Sequence, residues 1–514
     1  MAPSQKVEEM FHSLLPDIPL APPQGGVCLI NNIPPELLSY IFVVGTLAKD
    51  EEGDNDSLTK IDLDFLESSS SLESSESFLP FRLLVSNICR HWRNIALSTP
   101  FLWTNIEVTP TAGLSLEPTL TLLERSKDLP ITVYIYCQGH AYDGNQAPSD
   151  DELRSLFSTF IPHVHRWRAM MIGIPEYRHV YEFLSAASDP SIPAASQLTT
   201  LMLEYPVTEE ARQSFVYPDM SEHFTLFRGS APLLTTLSLW GVHVDWNQPW
   251  IASASNLTEL ELAFHAEDVR PSWSQFATIL RGAPSLEELA LHHSGPSGNP
   301  ANWFIRPTFG SPADLNAPIQ FLRLRDLTFE FHSEAHAIEL LRKFYLPALK
   351  KLTLHFDVGD FTNLVRELAR SATSLSPTQE PSRSLLNGLE SLKIVKLRCR
   401  IECIRILYEQ LQNVTSLNIS LENLPSPFLD ILAEPCTLPR RANVWLPQLA
   451  TLYVSGAFGN SLRYVVGQRR NAGAPLSALH LKECEVDDED EEWLKENVET
   501  VKYIFDDSCL VSFT

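Results

Sequence analysis

The chain has 514 residues, 44% of them apolar, and a formal net charge of −25. That length exceeds one ordinary domain, and the apolar fraction is enough for a sizeable core. So acidic a balance argues against a nucleic-acid groove or an anionic membrane surface, since both need clustered lysine and arginine. Residues 1–26 are proline-rich and end in Ala21-Pro22-Pro23-Gln24-Gly25-Gly26, which predicts a flexible leader. The N-terminus lacks a basic flank followed by an apolar core, and no apolar run reaches membrane-spanning length, so a soluble cytoplasmic or nuclear protein is expected. The eight cysteines, at 28, 89, 137, 399, 403, 436, 484 and 509, form no regular framework and read as reduced, mostly buried thiols.

The first element is Ile33-Pro34-Pro35-Glu36-Leu37-Leu38-Ser39-Tyr40-Ile41-Phe42. Its prolines suit an opening helical turn, where a missing amide proton costs nothing, and Leu37, Leu38, Ile41 and Phe42 then share a face. Residues 50–77 hold ten acidic side chains against Lys60 alone and include a serine run, so a disordered insertion is expected at about 49–77. Acid-flanked serines there are candidate phosphorylation sites. After it, residues 83–96 read as a second amphipathic helix with Leu84, Ile88, Trp92 and Ile95 as its stripe, ended by Pro100. Two helices this short bury little against each other, so a partner surface is expected. Together, Ile33-Pro34-Pro35-Glu36-Leu37-Leu38 with Ile41-Phe42, and Cys89-Arg90-x-Trp92-Arg93-x-Ile95-Ala96 with Ser98-Thr99-Pro100-x-Leu102-Trp103, resemble an F-box of the divergent fungal kind over residues 27–109. Ile33 stands where leucine is usual, and about thirty residues are inserted between the halves. The resemblance implies docking onto a Skp-type adaptor, and through it a cullin. The residues it assigns to that contact are Ile33, Pro34, Leu37, Leu38, Ile41, Phe42, Leu84, Ile88, Cys89 and Trp92.

Beyond Trp103 the pattern turns to short strands at residues 103–108 and 129–136, with helical spacing between them over 116–126. A signature Leu-x-x-Leu-x-Leu then recurs, centred on Leu201, Leu237, Leu260, Leu289, Leu327, Leu352, Leu392, Leu417, Leu452 and Leu479. Val164/Trp167/Met170/Ile172 is a weaker forerunner, and Val498/Val501/Tyr503 closes the series. Alternate side chains would point inward on each strand. Helices are predicted over 272–281, 335–345, 361–372, 402–412 and 460–470. No unit is large enough to bury its own apolar face, and stacking neighbours makes one core. The series resembles an irregular leucine-rich-repeat solenoid over residues 110–514, with an acidic C-terminal segment at 487–492 read as solvated. The expected fold is therefore α/β: a small all-α F-box module followed by a solenoid of short parallel strands and helices.

The chemistry of transfer is not written in this sequence. There are no paired Cys-x-x-Cys motifs, no Walker-type phosphate loop and no Gly-x-Ser-x-Gly elbow. Cys399 and Cys403 have no second pair, and His332-Ser333-Glu334-Ala335-His336 is one position off the metalloprotease pattern and reads as a helix start. His292-His293 and His163-x-His165 read as exposed side chains beside strands. Neither catalysis nor a cofactor or metal is expected. What is expected is a substrate-recognition subunit of an SCF-type ubiquitin ligase, acting by proximity on an unknown protein target. The alternative is a non-catalytic scaffold not coupled to ubiquitination.

Overall fold

The computed structural model describes residues 29–50, 80–136, 148–205, 214–222, 224–304, 316–356, 359–370, 385–420, 427–436 and 444–504. The expected leader, residues 51–77 of the acidic insertion and the candidate phosphoserines lie outside the described residues. The chain divides into a helical unit, drawn mainly from residues 29–50 and 80–103, and a second unit that takes in nearly everything from residue 104 onward.

In the helical unit, α1 (Pro35–Asp50) starts at the double proline as expected. The second predicted helix is in fact two, α2 (Phe81–Ile88) and α3 (Arg90–Ser98), broken at Cys89, whose backbone is extended. The break supports itself locally. Cys89 Sγ accepts the Trp92 amide at 3.4 Å as an N-cap, and Arg93 Nε donates to the Ser86 carbonyl at 2.9 Å across the corner. Leu38 and Phe42 of α1, Val85 of α2, and Ile95 and Ala96 of α3 are buried, and the Phe42 and Trp92 rings lie 5.0 Å apart. Gly45 permits close approach of α1 and α2, for a Cβ there would lie 2.5 Å from the Phe81 ring. The far end is tied by Ser39 Oγ and Thr99 Oγ1, 2.8 Å apart, and by Trp103 Nε1 donating to the Ala96 carbonyl at 3.0 Å.

The second unit is built on a parallel sheet of fourteen strands paired in strict sequence order. These are β1 (Asn105–Val108), β2 (Ile131–Tyr136), β3 (Trp167–Gly173), β4 (Thr200–Glu204), β5 (Thr236–Trp240), β6 (Glu259–Ala263), β7 (Glu288–His292), β8 (Asp326–Glu330), β9 (Lys351–His355), β10 (Ser391–Val395), β11 (Ser416–Ser420), β12 (Thr451–Ser455), β13 (Ala478–Lys482) and β14 (Thr500–Ile504). Leu201 pairs with Leu237, Leu237 with Leu260 and Leu260 with Leu289, and the same register runs on to Leu479 and Val501. The central leucines are therefore a ladder across the sheet, and those from Leu201 to Leu479 are buried to within a few per cent. A separate pair of two-residue strands, Ile319–Gln320 and Phe344–Tyr345, stands apart from this sheet.

Between strands the chain folds into α4 (Glu117–Arg125), α5 (Asp150–Phe160), α6 (Tyr177–Ala187), α7 (Pro249–Ala252), α8 (Trp273–Gly282), α9 (Glu334–Lys343), α10 (Thr362–Ala369), α11 (Ile401–Gln410), α12 (Pro427–Ala433), α13 (Gly459–Asn471) and α14 (Asp488–Asn497). From α9 to α14 each helix packs on the next, making a layer that follows the stack. The acidic run expected to be solvated forms the cap and first turns of α14, with Asp487, Asp488, Glu489 and Glu492 exposed and Asp490 alone buried. Asp487 accepts the Asp490 amide at 2.8 Å, the buried Asp490 pairs with Arg463 at 3.2 Å, and carboxylates at a helix start oppose its dipole favourably.

A conformational repeat accompanies the leucine repeat. The residue directly after β5, β6, β7, β8, β10, β12 and β13 has positive φ: Gly241, Phe264, His293, Phe331, Lys396, Gly456 and Glu483. Most of these turns are fixed by the amide of that residue, which donates to the last carbonyl of the next strand, as in Gly241 to Ala263 at 2.7 Å and Phe331 to His355 at 2.8 Å. The ladder thus continues one bond past the strand before the chain turns away.

Candidate functional site

Two surfaces stand out, one on each unit. In the helical unit, α1 carries more apolar side chains than its core absorbs. Leu38 and Phe42, 1% and 0% exposed, face inward. Leu37, Tyr40, Ile41 and Val44 recur at helical spacing on another face, with Leu37 55% and Ile41 48% exposed. Ile88, at the end of α2, is 54% exposed. Among the described residues this apolar stripe stays exposed, which on so small a unit is the pattern an interaction face would have.

The ten residues assigned to adaptor contact thus sort into two sets. Leu37, Ile41 and Ile88 are exposed, as is Pro34, whereas Ile33, Leu84, Cys89 and Trp92 are half-buried and Leu38 and Phe42 are fully inside. Trp92 packs on Phe42 and Cys89 caps α3, so those side chains hold the unit together. Tyr40 and Val44 were missed by the motif reading. The signal was available, because both fall on the Leu37/Ile41 face at three- and four-residue spacing.

On the second unit, strand residues alternate, so those between the leucines line the opposite face of the sheet. There His292 lies between two glutamates from the adjoining strands, 3.0 Å from Glu261 and 2.8 Å from Glu330, with His355 3.7 Å from Glu330. Ser238 Oγ donates to Glu261 at 2.7 Å. Burial opposes a charge on His292, but its hydrogen bonds to Glu261 and Glu330 outweigh that and push its pKa up to about 9. Burial likewise raises Glu330, yet the bonds from His292 and His355 hold it well below the usual carboxylate range. His292 was expected to be exposed. It is buried, because neighbouring strands supply counter-charges that the linear sequence does not place beside it. Elsewhere on this face, burial and then the nearby Glu261 raise Glu204 to about 7, and burial and then Glu288 raise Glu259 to about 7.

Of the remaining histidines singled out by the sequence, His165 is exposed as expected, and His163, His293, His332 and His336 have structural partners. His332 bonds to the Leu291 carbonyl at 3.0 Å, and His336 pairs with Ser333 Oγ at 2.9 Å at the start of α9. His163 accepts Arg166 Nε at 3.3 Å. Cys403 and Cys436 are buried free thiols, and Cys399 is half-buried, its pKa pushed up to about 12 by burial. Among the described residues no group of three or more His, Cys, Asp or Glu is placed to hold a metal ion, and no helix is long and apolar enough to cross a membrane.

No protein-family model matches the sequence, and no curated protein matches it. Among solved structures, the chain is similar to a structural-genomics target from Bacteroides fragilis, at 11% identity over 60% of this chain and 75% of that one, with a TM-score of 0.31. That likeness is too slight to bear on function. The second unit is a solenoid-like stack of parallel strands and helices on its own geometry.

Proposed function

We propose that this protein is the substrate-recognition subunit of an SCF-type cullin-RING ubiquitin ligase. The helical unit is the F-box and docks a Skp-type adaptor, and the leucine-rich repeat unit receives a protein target. The observation that carries this reading is the outward stripe of Leu37, Tyr40, Ile41 and Val44 on α1, which begins inside the Ile33-Pro34-Pro35-Glu36-Leu37-Leu38 motif. Each such side chain, once covered, contributes on the order of 1.5 to 3 kcal/mol, so two or three of them sustain a specific contact. The mechanism is proximity: a target held beside a charged conjugating enzyme reacts at raised effective concentration.

Ile41→Asp tests the assignment cleanly, because Ile41 is exposed and its loss leaves the Leu38/Phe42 core intact. Trp92→Ala would unsettle the fold as well. The expected result is an unchanged melting temperature with loss of adaptor and cullin from affinity-purified protein. Wild-type recovery of both refutes the F-box reading. Recovery of targets with no cullin from the unmutated chain favours an uncoupled scaffold instead.

A further inference from the structure

From β4 onward the outward strand positions are sorted by charge. The five strands β4 to β8 carry six carboxylates, Glu204, Glu259, Glu261, Glu288, Asp326 and Glu330, with no lysine or arginine. The six strands β9 to β14 carry Lys351, Lys393, Lys482 and Lys502 with no carboxylate. The seam between the halves is itself an ion pair, Asp326 to Lys351 at 4.0 Å. His292 neutralises part of the acidic half, leaving Glu204 and Glu259 without a cationic partner among the described residues. The rings of Trp240, Phe264 and Phe331 run along this half, with centroids 5.6 and 6.0 Å apart. Glu204 is in register with Trp240, while Glu259, Glu288 and Asp326 form a separate row at the start of their strands. A row of carboxylates and a carboxylate beside a half-buried ring both suit guanidinium groups, which bond to the acids and stack on the ring.

We infer that this face binds an extended segment of a target protein whose charges are segregated, an arginine-rich block lying over β4 to β8 and an acidic block over β9 to β14. The inference rests on the reading that the repeat unit receives the target. Strands about 4.8 Å apart make the acidic half about 19 Å long and the basic half about 24 Å, which an extended chain covers with about six and seven residues. A second copy of this chain, whose split face is also self-complementary, is disfavoured by its net charge of −25.

The test is fluorescence anisotropy with the full chain and two labelled peptides of identical composition: six arginines, two glycines and six glutamates in blocks, or with arginine and glutamate alternating. The block peptide should bind at least tenfold more tightly, and added salt should weaken it steeply. A Lys393→Glu/Lys502→Glu variant, altered at two exposed positions, should lose at least tenfold for the block peptide and gain affinity for an all-arginine peptide of the same length. Equal binding of the two peptides, or a variant that behaves like wild type, overturns the inference. So does self-association that the variant abolishes without any peptide binding, which would make the occupant a second copy. Adaptor copurification is a separate readout: peptide binding that fails while cullin is still recovered removes this inference alone, and the converse removes only the F-box assignment.

Discussion

His292 carries its proton into the folded state because Glu261 and Glu330 lie on either side of it. An unfolded imidazole titrates near 6.5, while the folded one holds on to about 9. The stabilisation from this cluster is therefore fully present below 6.5 and is lost as pH rises through 9. One proton retained on folding gives a slope of at most about 1.4 kcal/mol per pH unit. Two other histidines, His265 and His332, act in the opposite sense: burial pushes both down to about 3, so the stability they bring is lost as pH falls below 6.5. Glu204 and Glu259, raised from 4.5 to about 7, lose their contribution as pH rises through that interval. Two histidines against two glutamates nearly cancel between 4.5 and 6.5, which leaves the alkaline limb as the clean readout. Urea melts at pH 7, 8 and 9 should show wild-type stability falling, and His292→Gln, less stable at pH 7, should flatten that fall. Parallel declines in the two proteins would show that the His292 proton is not its source.

The element that recurs is a strand followed by one residue in the left-handed region, and its side chain sets how much strain each turn carries. Gly456, at φ 73°, follows β12, and Glu483, at φ 51°, holds the same place after β13. A Cβ in that conformation costs roughly 1 to 2 kcal/mol, so Gly456→Ala should destabilise by about that much. Glu483→Gly should give a gain of under about 1 kcal/mol once the extra freedom of glycine in the unfolded chain is set against it. Paired thermal melts decide this, and a loss of stability in Glu483→Gly would mean that its side chain contributes more than the strain it brings. These turns show why some features were legible and others were not. The ten strands β4 to β13 could be read because inward leucines at fixed spacing leave a periodic mark, β1 to β3 and β14 because other apolar residues alternate there, and α8, α10, α11 and α13 fall where helical spacing put them. Phe264, His293 and Lys396 carry no mark of a left-handed turn, since it is the next strand's carbonyl that holds them there. The corner at Cys89 likewise has neither proline nor glycine to announce it. Helix α5 was missed although Ser149 and Glu152 form a capping box, and that spacing was visible in the sequence. In the candidate site, helical spacing alone did not tell Leu38 from Leu37, because both are apolar and only the positions of α2 and α3 decide which one faces inward.

Across the whole repeat unit, strand order equals sequence order, so each strand and its helix touch little beyond the units on either side. Stability in such a stack is a sum of unit and nearest-neighbour terms, and damage should spread only as far as those terms reach. Leu327 sits in β8 near the middle of the sheet and is fully buried, with Leu289 and Leu352 as its ladder neighbours. Leu327→Ala leaves a cavity there and should cost about 2 to 5 kcal/mol. Val501 occupies the same register in β14, where one side has no further strand among the described residues and the side chain is only half-buried. Val501→Ala should cost far less. Hydrogen exchange followed by peptide mass spectrometry separates the two cases. Leu327→Ala should deprotect β7, β8 and β9 most, with the effect fading over the next strands on both sides. Val501→Ala should deprotect β13 and β14 and leave β4 to β8 at wild-type rates. Uniform deprotection from β4 to β14 in both variants would mean that the stack unfolds as one cooperative block, because coupling between neighbours would then exceed the intrinsic cost of opening any single unit.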